Sequence, residues 1–409
     1  MNTGIDRRQK IQSITLLAVC FAFFTALYWR FVVEYPGPAG SYYSDICEHL
    51  LYGKTYGIKG EYSLTLLIND ILLKCGSLGS WLVAAHIALI VVMEIVFGCL
   101  FIKKTFPEGN LFIMMILSLF ALMVIPVYLP LINSQMYTPF SGNNWHSENY
   151  HGMRAISVLF FIFLIDIVDD YLERFSVKQM LISAVLLSVI NAIKPNFILG
   201  IAPALLVMMI ADIIKSKGHG IKHWFMFGIS VLLSLPVLLW QYFVNFDPSV
   251  ETSENTSLIF VFGGVLTLEA HPFLEFILGM AFPISVLIIH RRIFRENKFY
   301  RLCLAGLLFA FLELFFIAES GERFYDGNMG WGFEFFIYFI FLICISVYYR
   351  NIVTFLADKK RRQSLTEYCM TRKKEALKLL IPGLLLIWHI GCGLLYFAIV
   401  CAGETGYLI

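Results

Sequence analysis

Runs of about 20 mainly apolar residues, the length that crosses a hydrocarbon core about 30 Å thick, recur from one end of the 409-residue chain to the other. Inside lipid every backbone N–H and C=O must find its partner within the segment, so such runs have to be helices. The composition agrees: 59% hydrophobic, 16% aromatic and only 15% charged residues, with a mean hydropathy of +0.75, lie far from the balance of water-soluble domains. Because the runs never stop, residues 1–409 are expected to form one all-α integral membrane domain, a polytopic helical bundle rather than two or three separate cores.

Eleven spans are predicted, at 12–33, 79–102, 111–131, 152–171, 179–193, 196–215, 223–243, 272–290, 301–318, 333–349 and 379–401. The first follows the basic MNTGIDRRQK; it is too long for the apolar region of a signal peptide and carries Arg30 late, so it is expected to stay as an anchor. Lys194-Pro195 separates two of the spans, and a single broken helix is the alternative there. With the N-terminus inside and the C-terminus outside, 24 of the 31 Lys and Arg fall in inner segments. The other 7 (Arg30, Lys54, Lys59, Lys74, Arg154, Lys194 and Arg323) fall outside, which is the sense of the positive-inside rule. Joining the spans around Lys194 would carry HRRIFRENKFYR and DKKRRQ outward, against that rule. The basic inner loop 350–378 is expected to fix orientation and touch anionic lipid.

Nine cysteines show no CxxC pair and mostly lie in apolar runs, where they act as small hydrophobes. Cys47 and Cys75 share the first outer loop, so a disulfide between them is open. A net charge of +2 without a basic groove gives no reason to expect a nucleic-acid partner.

The polar chemistry collects in the outer segments. The first, 33–78, holds SDICEH and two short amphipathic stretches expected to lie along the interface. Asp45 and Glu48 have the D-x-x-E form of a helix cap with its capping-box partner. A carboxylate just above the membrane, with Glu48 and His49 following, could also act as a general base toward a hydroxyl, although the cap is the stronger reading of the residues. The second outer segment, GNNWHSENYHGMR at 142–154, offers Trp145 as a stacking face and Asn143, Asn144, His146 and Glu148 as hydrogen-bonding groups for a polar ring-shaped ligand. The plainer reading is an interfacial aromatic among ordinary loop polars. His146 and His151 are five apart and no HExxH occurs, so no metal is assigned.

Lys194 and Arg323 stand out because outer cations are few. A lysine at a helix break meets a phosphate as a point charge and an arginine clamps one bidentately; snorkelling, or an ion pair of Arg323 with Glu319 or Glu322, are the ordinary alternatives. Glu322, Asn328 and Trp331 of ESGERFYDGNMGWGFE complete the candidate substrate-binding set. Glu94 and Glu313 are placed at membrane depth, too few midplane charges for a transporter or proton pump.

With SDICEH straight after the first span, IKPNFILGIAPALLVMMIAD at the Lys-Pro break and ESGERF before a late span, the chain resembles the GT-C superfamily of membrane glycosyltransferases. Within it, the likeness is to bacterial polyprenol-phosphate-mannose-dependent mannosyltransferases. The resemblance implies a polyprenyl-phosphate-linked sugar as donor, a glycan or glycolipid as acceptor, no cofactor, a multi-pass location in a bacterial plasma membrane with lipid as its surroundings, and an inverting transfer on the outer face. It implies Asp45 as the base; no DxD stands in the first loop, a departure that leaves metal dependence and the subfamily open. A flippase or transporter of lipid-linked saccharides, and an envelope polysaccharide polymerase or ligase, are the competing classes; the latter needs an arginine-rich outer loop.

Overall fold

The computed structural model describes residues 7–33, 46, 50, 63–132, 135–145, 147–245, 257–358 and 364–402. Among them the chain is almost entirely helical. The helices are α1 (Arg7–Val33), α2 (Leu64–Leu73), α3 (Gly79–Thr105), α4 (Leu111–Ala121), α5 (Glu148–Ile165), α6 (Val177–Ile193), α7 (Asn196–Lys215) and α8 (Ile221–Leu232). They continue as α9 (Leu235–Asn245), α10 (Pro272–Gly279), α11 (Ala281–Ile289), α12 (Arg291–Glu296), α13 (Lys298–Phe316), α14 (Trp331–Ala357), α15 (Leu365–Thr371) and α16 (Lys373–Ala402). Two three-residue strands, β1 (Leu258–Phe260) and β2 (Ile317–Glu319), pair antiparallel with Leu258 opposite Glu319.

Among the described residues, seven helices are long and apolar enough to cross a membrane, or eight if the pair α10 and α11, bent by 64°, forms one span. The eleven expected runs shrink for identifiable reasons. The run at 111–131 is helical only to Ala121, and Leu122 to Val127 continue as buried irregular backbone before Pro130. Non-helical chain at depth is tolerated where protein supplies the partners. Here His389 Nδ1 lies 2.6 Å from the Ile125 carbonyl, and Val127 N–H donates to Leu278 O at 3.3 Å. The run at 152–171 begins early, as α5, and takes Glu148 and Arg154 into its helix; α6 has 17 residues.

Lys194 is extended and Pro195 opens α7, as the Lys-Pro signal predicts. The chain turns back there instead of continuing as one broken rod. His223 Nδ1 sits 2.9 Å from Leu172 O, near the start of α6, while Asn191 near its end donates to Ser234 O at 3.2 Å, so α6 and α8 run the same way. Trp224 near the start of α8 donates to Met209 near the end of α7 at 2.9 Å, so α7 runs against both.

α14 is the centre of the bundle: every residue from Trp331 to Val347 is buried. An apolar character all round its circumference is what a helix walled in by others requires. Its phenylalanines meet rings from three neighbours, with Phe339 4.3 Å from Phe161 and 4.9 Å from Phe101, and Phe335 5.1 Å from Phe197. Gly306 on α13 leaves the space that the Phe336 ring fills.

The remaining contacts sort helix ends into two sets. Lys104 pairs with Asp166, Lys298 with Asp212 at 2.7 Å, and Tyr348 donates to Leu379 O at 2.9 Å. At the other end Arg30 donates to Cys401 O at 2.5 Å and Asn196 to Asn328 O at 2.8 Å. These are the ends that the charge count assigns to the inner and the outer side respectively.

One close approach makes a stability prediction. A Cβ on Gly393 of α16 would occupy the space of the Met123 carbonyl oxygen, which is backbone and cannot swing aside. Gly393→Ala is expected to lower stability by about 1–3 kcal/mol, the usual range for forced overpacking, seen as an earlier thermal transition in detergent. An unchanged transition would mean that α16 does not press on the segment after α4.

Candidate functional site

The stretch 142–154 that drew attention in the sequence turns inward. Arg154, on the first turns of α5, is fully buried, as is Glu94 of α3. Arg154 Nε and Nη2 grip the two Glu94 carboxylate oxygens, the latter at 2.9 Å. Its Nη1 donates to Asn143 Oδ1 at 2.8 Å and Gly142 O at 3.2 Å. The guanidinium lies 5.0 Å from the Tyr150 ring centre and 4.6 Å from that of Tyr338. His151 Nδ1 is 3.0 Å from Glu94 Oε2 and 3.1 Å from Arg154 Nη2, so its tautomer decides whether it donates to the carboxylate or accepts from the guanidinium. Its Nε2 meets the Tyr28 hydroxyl at 3.1 Å. Two charges out of water are tolerable only with good geometry and further hydrogen bonds; here the grip on Glu94 is bidentate and Nη1 has two acceptors.

Three expectations for this stretch need correcting. Trp145 is 1% exposed, stacked on Phe24 at 5.6 Å and against Phe397 at 4.6 Å, so protein rings already cover it where a ligand was expected. Asn144 and Glu148 are buried, not displayed on an outer loop. Arg154, counted among the outer cations, is a helical residue paired within the protein.

A second group adjoins this core through the rings of Tyr150 and Trp331, 5.4 Å apart. The α6–α7 reversal carries Lys194 Nζ to 3.7 Å from the Trp331 ring centre, a close cation–π contact. Trp331 Nε1 donates to Asn328 Oδ1 at 3.2 Å, and Asn328 Nδ2 donates to Glu319 Oε2 at 2.7 Å. Arg323 Nη1 stands 3.9 Å from Glu319 Oε1, the ion pair named as its ordinary alternative. On the inner side of Trp331, Asn144 Nδ2 donates to the Tyr137 hydroxyl at 3.1 Å, and that hydroxyl donates to Glu334 Oε1 at 2.8 Å. Five sequence candidates (Asn144, Lys194, Arg323, Asn328 and Trp331), drawn from three distant segments, thus lie around one polar cluster. Among the described residues, the space bounded by Glu319, Arg323 and Asn328 amounts to about 10 Å³.

Asp45, Glu48, His49 and His146 lie outside the described residues, as does the Glu322 side chain in the turn Gly321–Asp326. Ile46, next to Asp45, is fully buried in the hydrophobic core. Cys75 is an exposed free thiol, and Cys47 lies outside the described residues. Glu313 on α13 is 7% exposed with no hydrogen bond to either carboxylate oxygen. Among the described residues no group of three or more His, Cys, Asp or Glu side chains is arranged to hold a metal ion.

Glu94, His151, Tyr28, Glu334 and Tyr137 were absent from the candidate set. One signal for Glu94 was present: it and Arg154, a glutamate and an arginine in two apolar runs, cannot both stay buried unless they meet. Tyr137 and Glu334 gave none, because a lone tyrosine in a loop and a glutamate at a helix start are common in any fold. No family model matches the sequence, and a search of curated proteins finds no similar chain.

Proposed function

We propose that this chain is a membrane glycosyltransferase that moves a sugar from a polyprenyl-phosphate carrier to an envelope glycan or glycolipid acceptor on the outer face. The observation that carries the reading is the cluster itself, which brings Lys194, Trp331, Asn328 and Arg323 together at the helix ends assigned to the outer side. An aromatic ring, amide groups and two cations are the set that a sugar phosphate requires.

In this reading the acceptor hydroxyl gives its proton to the Asp45 carboxylate and its oxygen attacks the anomeric carbon. The bond from that carbon to the phosphate oxygen breaks with inversion, and polyprenyl phosphate leaves with the electron pair. Lys194, held in place by the Trp331 ring, and Arg323 take up the charge that develops on the phosphate. Substrate entry then requires the turns 321–330 to move away from Asn196 and Glu319.

Lys194→Met, which keeps the length of the side chain and loses the charge, is expected to slow sugar transfer by about 100-fold in reconstituted vesicles. An unchanged rate would remove Lys194 from the mechanism. A transporter would instead need Glu94 accessible from a polar path, and Glu94 is closed in by Arg154 and His151.

A further inference from the structure

Beneath the turn Asn328–Gly330 the core holds a carboxylate with an oxygen to spare. Glu334 follows Trp331 by three residues on α14, which puts both on the same face of the helix. Helical side chains lean toward the N-terminus, and Glu334 does so: a Cβ on Gly330 would lie 4.0 Å from its Oε1. The buried carboxylate therefore sits directly under the turns that have to move when a substrate enters. The Tyr137 hydroxyl donates to Oε1 at 2.8 Å, and among the described residues Oε2 has no hydrogen-bond partner. The hydroxyl of Tyr396 on α16 is orphaned in the same way. Tyr396 is fully buried, its ring stacks on that of Tyr137 with centres 6.2 Å apart, and the Glu334 charge acts on its hydroxyl.

The two orphans are neighbours and are complementary in kind. A carboxylate oxygen only accepts, while a phenol donates as well, so the group that satisfies both gives one hydrogen and offers one lone pair. That is the description of a hydroxyl. An ammonium would add a positive charge where Lys194 and Arg154 already act on the carboxylate. A phosphate would set a second anion beside it, and an apolar group would leave both atoms unsatisfied. Lys194, on the Trp331 ring, marks where the phosphate of a sugar phosphate would lie, and Glu334 stands one turn deeper on the same helix face.

We infer that Glu334 and Tyr396 form a sugar-reading subsite beneath the phosphate-binding cations: Glu334 Oε2 accepts a hydrogen bond from one hydroxyl of the transferred sugar, and the Tyr396 hydroxyl donates to that same sugar oxygen. The inference rests on the transferase reading and adds to it a choice among sugars. The pair makes and breaks no covalent bond. A sugar without that hydroxyl leaves a buried carboxylate and a buried phenol unpaired, which is how a binding site discriminates most sharply.

The test is equilibrium binding to the full-length protein in lipid nanodiscs. The probes are citronellyl phosphate, the same phosphate carrying mannose, glucose, galactose or N-acetylglucosamine, and the monodeoxy forms of the tightest of these. One sugar should add about 10- to 100-fold in affinity over citronellyl phosphate, the worth of a hydrogen bond to a charged group, and one monodeoxy form should lose that gain. Glu334→Gln and Tyr396→Phe should bind citronellyl phosphate at least as tightly as the wild type, lose most of the gain, and no longer separate the sugar from its deoxy form. Tyr396→Phe removes only an oxygen that has no partner, so its thermal transition should be kept and misfolding cannot explain its loss. Lys194→Met should do the reverse, weakening every probe while the preference among sugars persists. A sugar gain untouched by both subsite variants, or no gain from any of these sugars while citronellyl phosphate binds, overturns this inference and leaves the transferase reading standing. Failure of citronellyl phosphate itself to bind, or binding indifferent to Lys194→Met, overturns that reading and this inference with it.

Discussion

Arg154→Met should lower the stability of the fold by about 3–5 kcal/mol, the typical consequence of removing one partner from a buried ion pair. The damage arises from what stays behind. Glu94 is 0% exposed, and without the guanidinium its carboxylate would have only His151 as a near donor, at 3.0 Å. Gly142 O and Asn143 Oδ1 would lose the donor that Nη1 supplies, leaving Gly142 O with the Tyr150 hydroxyl alone. The double variant Glu94→Gln/Arg154→Met should regain most of the loss, because a neutral amide needs no counter-charge. Thermal unfolding of the purified variants in detergent measures both. If the single variant unfolds with the wild type, or the double variant is as weak as the single one, the pair is not what holds α3 and α5 together.

Asp45→Asn should abolish sugar transfer, a fall on the order of 1000-fold or more for loss of a general base, with insertion and thermal stability unchanged. Asparagine keeps the shape and the capping oxygen that a helix start needs, so the plain structural role of Asp45 survives the substitution while the proton acceptor does not. Radiolabelled sugar passed from a polyprenyl-phosphate donor to acceptor, measured in vesicles, separates the two roles. Full activity in the variant removes Asp45 from the chemistry; loss of folding together with activity makes it a cap.

The bundle was legible where chain chemistry acts locally. Lys194-Pro195 announced the boundary of α7 because proline restricts the residue before it, and the helix Asn196–Lys215 has the bounds of the expected apolar run. α14 runs from Trp331 to Ala357, eight residues past its expected end, because the bilayer limits an apolar run and does not limit a helix. The irregular stretch after Ala121 was hidden: its apolarity is that of a span, and the partners that let the backbone leave the helix, the carbonyl-binding His389, the Leu278 carbonyl and the close approach of Gly393, lie far along the chain.

The polar cluster divides the same way. Lys194 and Arg323 stood out because outer cations were scarce, and both lie in it. Arg154 was misplaced because a charge ordinarily marks the end of a span, and its partner stands on another helix 60 residues earlier. Trp145 illustrates the limit of composition: a tryptophan among asparagines reads as a ligand face until Phe24 and Phe397 are seen to cover it.

The account turns on whether the outer-side cluster holds a sugar phosphate. A density map of the full-length protein with a non-hydrolysable polyprenyl-phosphate sugar analogue tests this most directly. The prediction is a phosphate within about 4 Å of the Lys194 ammonium or the Arg323 guanidinium, with the sugar against Trp331 and the turns 321–330 displaced from their closed position. A headgroup bound at the opposite helix ends, or a cluster unchanged and empty at saturating analogue, would contradict it.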